Sequence, residues 1–210
     1  MKKAIVVDLD GTLLNTNTFI HYIKYVCKEA LKRGDVFRVG WICLLVLLRK
    51  LRLISSHEEL KKWILTVTGK YTNAERMERF AESLYKYENK KVVSLMSKYK
   101  DAGYVNVLSS AAPCVYAYVV GRQFGFEYIC STEMPFTDVW HENVREEKKK
   151  RTLELLYNNS LILAVLITDH YDDLPLLLME KEDNYVVNPT EKSKKVIVEN
   201  HVMCKYVYGK

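Results

Sequence analysis

The segment Lys3-Ala4-Ile5-Val6-Val7-Asp8-Leu9-Asp10-Gly11-Thr12-Leu13 constrains this chain more than any other. Ala4 to Val7 form an apolar run rich in β-branched residues, too short for a helix, and predict a buried central strand. Asp8 then stands at the carboxyl end of that strand, where open α/β sheets keep their ligand sites. Asp10 follows two positions on, and carboxylates so close repel each other unless a positive group sits between or beside them. Gly11 lets the backbone turn sharply behind the pair, because glycine tolerates positive φ. Read by itself, Asp10-Gly11 would also serve as a plain hairpin turn.

After Leu14 the pattern becomes helical. Phe19, Ile20, Tyr22, Ile23, Val26, Cys27, Ala30 and Leu31 recur at three- and four-residue spacing, and Gly34 stops the run. An apolar stretch from Val39 to Leu48 comes next. A helix is expected from Ser56, with Glu59 completing a capping box, and another from Thr72, with Glu75 doing the same. Val92, Val93, Met96 and Tyr99 continue the helical pattern, so residues 15–100 interrupt what the first strand begins. Alternation of strand and helix then resumes. Strands are expected at 104–110, 126–130, 161–168 and 185–188, and helices at 113–124, 146–157 and 174–181, with 134–144 irregular or a hairpin. Leu161 to Thr168 is the most apolar strand and belongs at the sheet centre. The tail from Glu191 carries no assignment. The expected fold is α/β, a Rossmann-like parallel sheet core with helices on both faces plus an inserted helical cap. Its core is 1–14 and 101–210, and its cap 15–100.

The 32 Lys and Arg against 26 Asp and Glu give a net charge of +6, which points to anionic partners: phosphate esters, nucleic acid or anionic lipid. A nucleic-acid module is disfavoured, since the basic residues form no stripe with interleaved aromatics. The five cysteines show no paired spacing and no secretory signal precedes Asp8, so reduced thiols in a cytoplasmic protein are expected, with no zinc site. The uncharged run between Arg38 and Arg49 is about half the ~20 residues needed to span a bilayer.

Polar groups end four of the expected strand segments or the turns after them: Asp8 and Asp10, Ser109 and Ser110, Asp169, and Asp173. Crossover rules gather such ends along one edge of the sheet. The helix from Glu146 adds Lys148, Lys149 and Lys150. Converging carboxylates need a hard cation with oxygen ligands, and Mg²⁺ suits a few carboxylates plus water and a substrate phosphate. A hydroxyl and an ammonium nearby supply positive charge for phosphoryl oxygens. Asp172 reads as a surface or supporting carboxylate at a helix start, and His141 and His170 as loop histidines without a catalytic role.

In this order the set resembles the haloacid dehalogenase-like phosphohydrolase superfamily, in its phosphoserine phosphatase-like branch. Asp8-Leu9-Asp10-Gly11-Thr12 looks like its first motif, the serine ending Val105–Ser110 its second, the basic helix its third, and Asp169-x-x-x-Asp173-Leu174-Pro175 its fourth. The resemblance implies that Asp8 attacks phosphorus and becomes an aspartyl-phosphate, and that Asp10 protonates the leaving oxygen and then activates water. Asp8, the Asp10 carbonyl and Asp169 would hold Mg²⁺, with Asp173 as ligand or as a support behind the ligands. Relatives place the motif serine three residues before a proline, which picks Ser110 through Pro113. They show Lys-x-x-x-Leu at the helix start, which picks Lys149 through Leu153, with Lys148 as the neighbouring alternative.

A helical insertion between the first two motifs is, in the family, a cap that selects the substrate. Phosphoserine phosphatases carry a glutamate nine residues after the nucleophile, where this chain has Asn17, and an amide cannot form the same ion pair with an ammonium. The apolar cap stretch 39–48 is expected to pack inside the cap. The other reading is a lipid-facing surface, as in a phosphatidylglycerophosphate-like phosphatase acting at the membrane. The expected partner is a small phosphorylated molecule, with the membrane surface second and the oligomeric state open. A non-catalytic binding protein on the same fold is opposed by the intact, mutually repelling carboxylates.

Overall fold

In the computed structural model, residues 1–136 and 139–209 are described. The strands are β1 (Lys2–Val7), β2 (Val105–Pro113), β3 (Tyr128–Thr132), β4 (Leu161–Thr168), β5 (Asp183–Val187) and β6 (Lys205–Val207). All pairings are parallel and the order is β3-β2-β1-β4-β5-β6. β1 and β4 are therefore central, and the strand order reverses between them. That reversal opens the crevice in which such sheets bind ligands. Side chains alternate along β1. Ile5 and Val7 join one apolar cluster, with the helices that precede β3, and Ala4 and Val6 join the other, with those that follow it.

Between β1 and β2 lie α1 (Thr18–Lys32), α2 (Val36–Lys50), α3 (His57–Thr68), α4 (Ala74–Leu84) and α5 (Lys90–Asp101). The chain leaves the sheet at Asn15 and comes back beside its exit: Asn15 N–H donates to the Tyr87 carbonyl at 2.7 Å, and Asn89 N–H to that of Leu13 at 2.9 Å. α5 packs against β2. Tyr22, Phe80 and Tyr116 pack ring against ring and tie α1 and α4 to α6 (Cys114–Gln123). α7 (Arg145–Asn158) and α9 (Glu191–Glu199) cover the opposite face, with the four-residue α8 (Leu174–Leu177).

Local signals set most boundaries. Gly34, at φ +73°, ends α1 in a Schellman turn, with Asp35 N–H reaching the Ala30 carbonyl at 3.0 Å. The Ser56 hydroxyl accepts from Glu59 N–H at 3.0 Å, but the Glu59 carboxylate returns to Ser55, so the box closes one residue early. The second expected box is not formed: Asn73, not Thr72, caps α4, its side chain accepting from Arg76 N–H at 3.2 Å. The expected helix 174–181 ends at Leu177, and the unassigned tail forms α9 and the edge strand β6. The described part of 134–144 has no strand or helix, and Thr137 and Asp138 lie outside the described residues.

A further expectation fails. α2 does not pack as an internal helix: Ile42 and Leu45 are buried, whereas Trp41, Leu44, Val46 and Leu47 are exposed. A run apolar on every side reads as core, but α2 packs mainly against α1 and α3 and leaves its other side exposed. Among the described residues no helix is long and apolar enough to cross a membrane.

Candidate active site

β1 stops being a strand at Asp8, whose N–H still donates to the Ile167 carbonyl of β4 at 2.9 Å. The chain then folds into a tight loop, with Leu13 N–H returning to the Asp8 carbonyl and Leu14 N–H to that of Leu9. Gly11 sits in this loop at φ +76°, and a Cβ there would lie 2.3 Å from Asp169 Oδ2. Both the backbone conformation and the neighbour demand glycine. The same carboxylate accepts from the Thr12 hydroxyl at 3.2 Å, which fixes Asp169 against the loop.

Asp8, Asp10, Asp169 and Asp173 converge on one cavity of about 160 Å³ at the carboxyl ends of β1 and β4. Their surroundings differ. Lys148 Nζ donates to Asp8 Oδ1 at 2.8 Å and to Asp173 Oδ2 at 2.7 Å. Asp173 Oδ2 also accepts from the Thr168 hydroxyl at 2.6 Å. Asp10 Oδ1 accepts from Thr18 N–H at 2.9 Å, at the start of α1.

Burial raises Asp10 to about 6, although Thr18 works against it. Burial, followed by the charges of Asp8 and Asp173, raises Asp169 to about 8. Burial also pushes Asp8 up, opposed by Lys148. Lys148 itself is lowered by burial but carried above the ordinary lysine range by Asp173 and Asp8. The cavity thus crowds together more carboxyl groups than one ammonium can neutralise, which favours their protonated forms.

The lysine brought to Asp8 is Lys148 and not Lys149. Lys148 is buried on the side of α7 that faces the sheet, and Lys149, one residue and about 100° further round, is turned away from the cavity. Neither serine lines the cavity. Ser109 donates across to the Thr152 hydroxyl at 2.7 Å, which itself donates to the Lys148 carbonyl, so it braces α7. Ser110 stands directly behind the lining residue Ala111, its hydroxyl accepting from Ala112 N–H at 3.2 Å. Asp172 pairs with Arg145 at the rim at 2.9 Å, His170 accepts from Asp172 N–H, and His141 sits by Glu58, away from the cavity. Asn17 caps α1, accepting from Ile20 N–H at 3.1 Å.

Sequence reasoning missed Asn143, Lys61 and Glu142. Asn143 lines the cavity and donates to the Ser110 carbonyl at 2.9 Å. Lys61, buried on α3, donates to the Ala111 carbonyl at 3.0 Å and to the buried Glu142. Through it the helical insertion touches the end of β2 beside the cavity. Nothing in the residue types marks these three, since their partners lie 33 to 81 positions away.

As a donor set, the site fits a small hard cation. Asp8 is buried and Asp169 half-buried, and the two oxygen-bearing groups repel each other in one cavity. Among the described residues no three acidic, histidine or cysteine side chains form a ready-made cage. Mg²⁺ asks for little more than one or two carboxylates, with water and substrate completing its shell.

A doubly wound parallel sheet with carboxylates at its switch point defines an α/β protein whose site lies where such sheets bind ligands. The family model for haloacid dehalogenase-like hydrolases matches residues 5–178, and the chain belongs to that family. No curated protein matches the sequence. Among solved structures, a protein of unknown function from Bordetella pertussis Tohama I is similar at TM-score 0.76 and 16% identity, over 99% of this chain and 98% of that one. A haloacid dehalogenase family hydrolase from Salmonella enterica serovar Typhi gives TM-score 0.63 and 12% identity, over 92% and 66%. A substrate-bound phosphoserine phosphatase gives 0.58 and 14%, over 93% and 90%. At these identities the likeness concerns the fold.

Proposed function

We propose that the chain is a Mg²⁺-dependent phosphatase that hydrolyses a phosphomonoester through an aspartyl-phosphate on Asp8. The observation that carries this reading is the contrast between two carboxylates in one cavity. Burial raises both, but Asp8 is paired with the Lys148 ammonium, whereas Asp10, two residues on, accepts from Thr18 N–H and lies near 6. These different partners suit the first to attack and the second to proton transfer. Asp8 attacks phosphorus as the bond to the ester oxygen breaks, and Asp10 gives its proton to that oxygen. Asp10 then takes a proton from water, whose oxygen attacks the same phosphorus and frees Asp8 and inorganic phosphate.

Lys148 spans Asp8 and Asp173 and supplies positive charge to phosphoryl oxygens entering beside Asp8. Ser110, at the end of β2, fixes the Ala112 backbone behind the cavity. Asp8, Asp169 and the Asp10 carbonyl would hold Mg²⁺, which draws off phosphoryl charge, and Asp173 supports the set through Lys148. The helices within 15–88 act as the cap that decides which leaving group is accepted, with Lys61 as its contact at the cavity edge.

The test is Asp8→Asn assayed on a panel of phosphate esters with Mg²⁺. Turnover should vanish while the fold persists by circular dichroism. Acid quench of the wild type should trap a phosphoryl group on the peptide that contains Asp8. Turnover at the wild-type rate in Asp8→Asn, or phosphate trapped on another residue, would refute the mechanism.

A further inference from the structure

The uncovered side of α2 is an apolar stripe. Phe37, Trp41, Leu44, Leu47 and Leu51 follow one another at three- and four-residue spacing. Phe37 is 90% exposed, Leu47 50% and Leu51 59%. Between Arg38 and Arg49 there is no charged or hydroxyl side chain. Exposed Lys32 and Arg33 stand before the stripe, and exposed Lys50 and Arg52 at its end. Asp35, the acid at its start, is taken up by Lys70 and Tyr71, each at 2.7 Å.

Charge is divided just as unevenly. Residues 15–88 hold fourteen Lys and Arg against eight Asp and Glu, while the rest of the chain holds eighteen of each. The whole net charge of +6 therefore resides in the helical insertion that carries the stripe. A second copy would bring an equally positive surface against it, which disfavours self-association. A helix of this length, about 22 Å, is too short to span a bilayer but suits lying in its surface, with apolar side chains inward and cations among headgroups.

We infer that α2 and its flanking cations dock this chain on the surface of an anionic phospholipid bilayer. The inference stands apart from the reading of the active site, since it uses none of its residues. Docking places α3, and with it the Lys61 contact to Ala111, next to the lipid-bound helix.

Sedimentation of the full chain with vesicles tests it. The wild type should pellet with phosphatidylglycerol–phosphatidylcholine vesicles and stay in solution with phosphatidylcholine alone. Phe37→Ser/Leu47→Ser/Leu51→Ser and, separately, Lys50→Glu/Arg52→Glu should melt like the wild type and partition less by on the order of tenfold. Brominated acyl chains should quench the tryptophan fluorescence of the unaltered protein, which needs no variant to fold. Wild type that ignores anionic vesicles, binding that survives both variants, or an absence of quenching would overturn the inference. So would a dimer that the triple serine variant splits without any vesicle binding, which would give the stripe to a second copy.

Discussion

Asp8 and Asp10 share one cavity, yet each has its own partner: an ammonium for the first, a helix N–H for the second. This difference governs the proton. With Asp10 near 6, an appreciable fraction carries a proton close to neutrality and can give it to an alkoxide. Asp10→Asn should therefore slow alkyl phosphates by about 10²–10⁴-fold and aryl phosphates with good leaving groups far less, as steady-state kcat on both classes would show. Equal losses on both would move Asp10 to a metal or structural role. The aspartates were legible from sequence because each ends an apolar strand or follows one within a few residues, and topology does the rest. The proline spacing picks Ser110 over Ser109, but neither hydroxyl lines the cavity, because where each turns depends on how the strand ends. In the structure Ser109 turns to Thr152 and Ser110 to the Ala112 backbone.

α7 shows what residue type cannot settle at the scale of an element. Three consecutive lysines are chemically equal, and the helix rotation alone decides that Lys148 enters the site. Lys148→Met should lower kcat by about 10²–10³-fold, while Lys149→Met should stay within about twofold, measured on variants of equal helicity. The opposite ranking would show that α7 is turned differently. α2 was misread for a related reason. Its apolar residues cover the whole circumference, so periodicity could not distinguish a buried helix from one at the edge of a bundle. The tail escaped assignment because β6 is three residues long, with Lys205 and Tyr206 exposed, and such an edge strand lacks an apolar run. α5, the last helix of the expected insertion, packs on β2.

For the molecule as a whole, the crowded carboxylates link pH, metal and stability. Asp169 is raised to about 8, so the metal-free native state keeps a proton that the unfolded chain releases near its ordinary value of 3.8. The unfolded state then binds fewer protons, and stability falls as pH rises between those two values. A cation requires the ionised carboxylate, and it should bind more tightly as the pH approaches 8. Scanning calorimetry in chelator and in Mg²⁺ between about pH 6 and about pH 9 should show a Mg²⁺-induced rise in Tm that grows with pH. A gain that is flat or shrinks toward alkaline pH would show that Asp169 is not where the cation binds.

The central place of β1 has a further consequence during synthesis. Ala4 pairs with Val105 and Lys2 with Leu161, so the strand made first must wait for neighbours made much later. At about 5–20 residues per second, the first neighbour follows after on the order of 5–20 s and the second after about 8–32 s. Through that interval Ala4-Ile5-Val6-Val7 leaves the ribosome with two unpaired edges, while the helices of the insertion can already collapse around Tyr22 and Phe80. Nascent chains of this protein are therefore expected to need protection at β1, and refolding to be paced by the distant β1–β4 pairing.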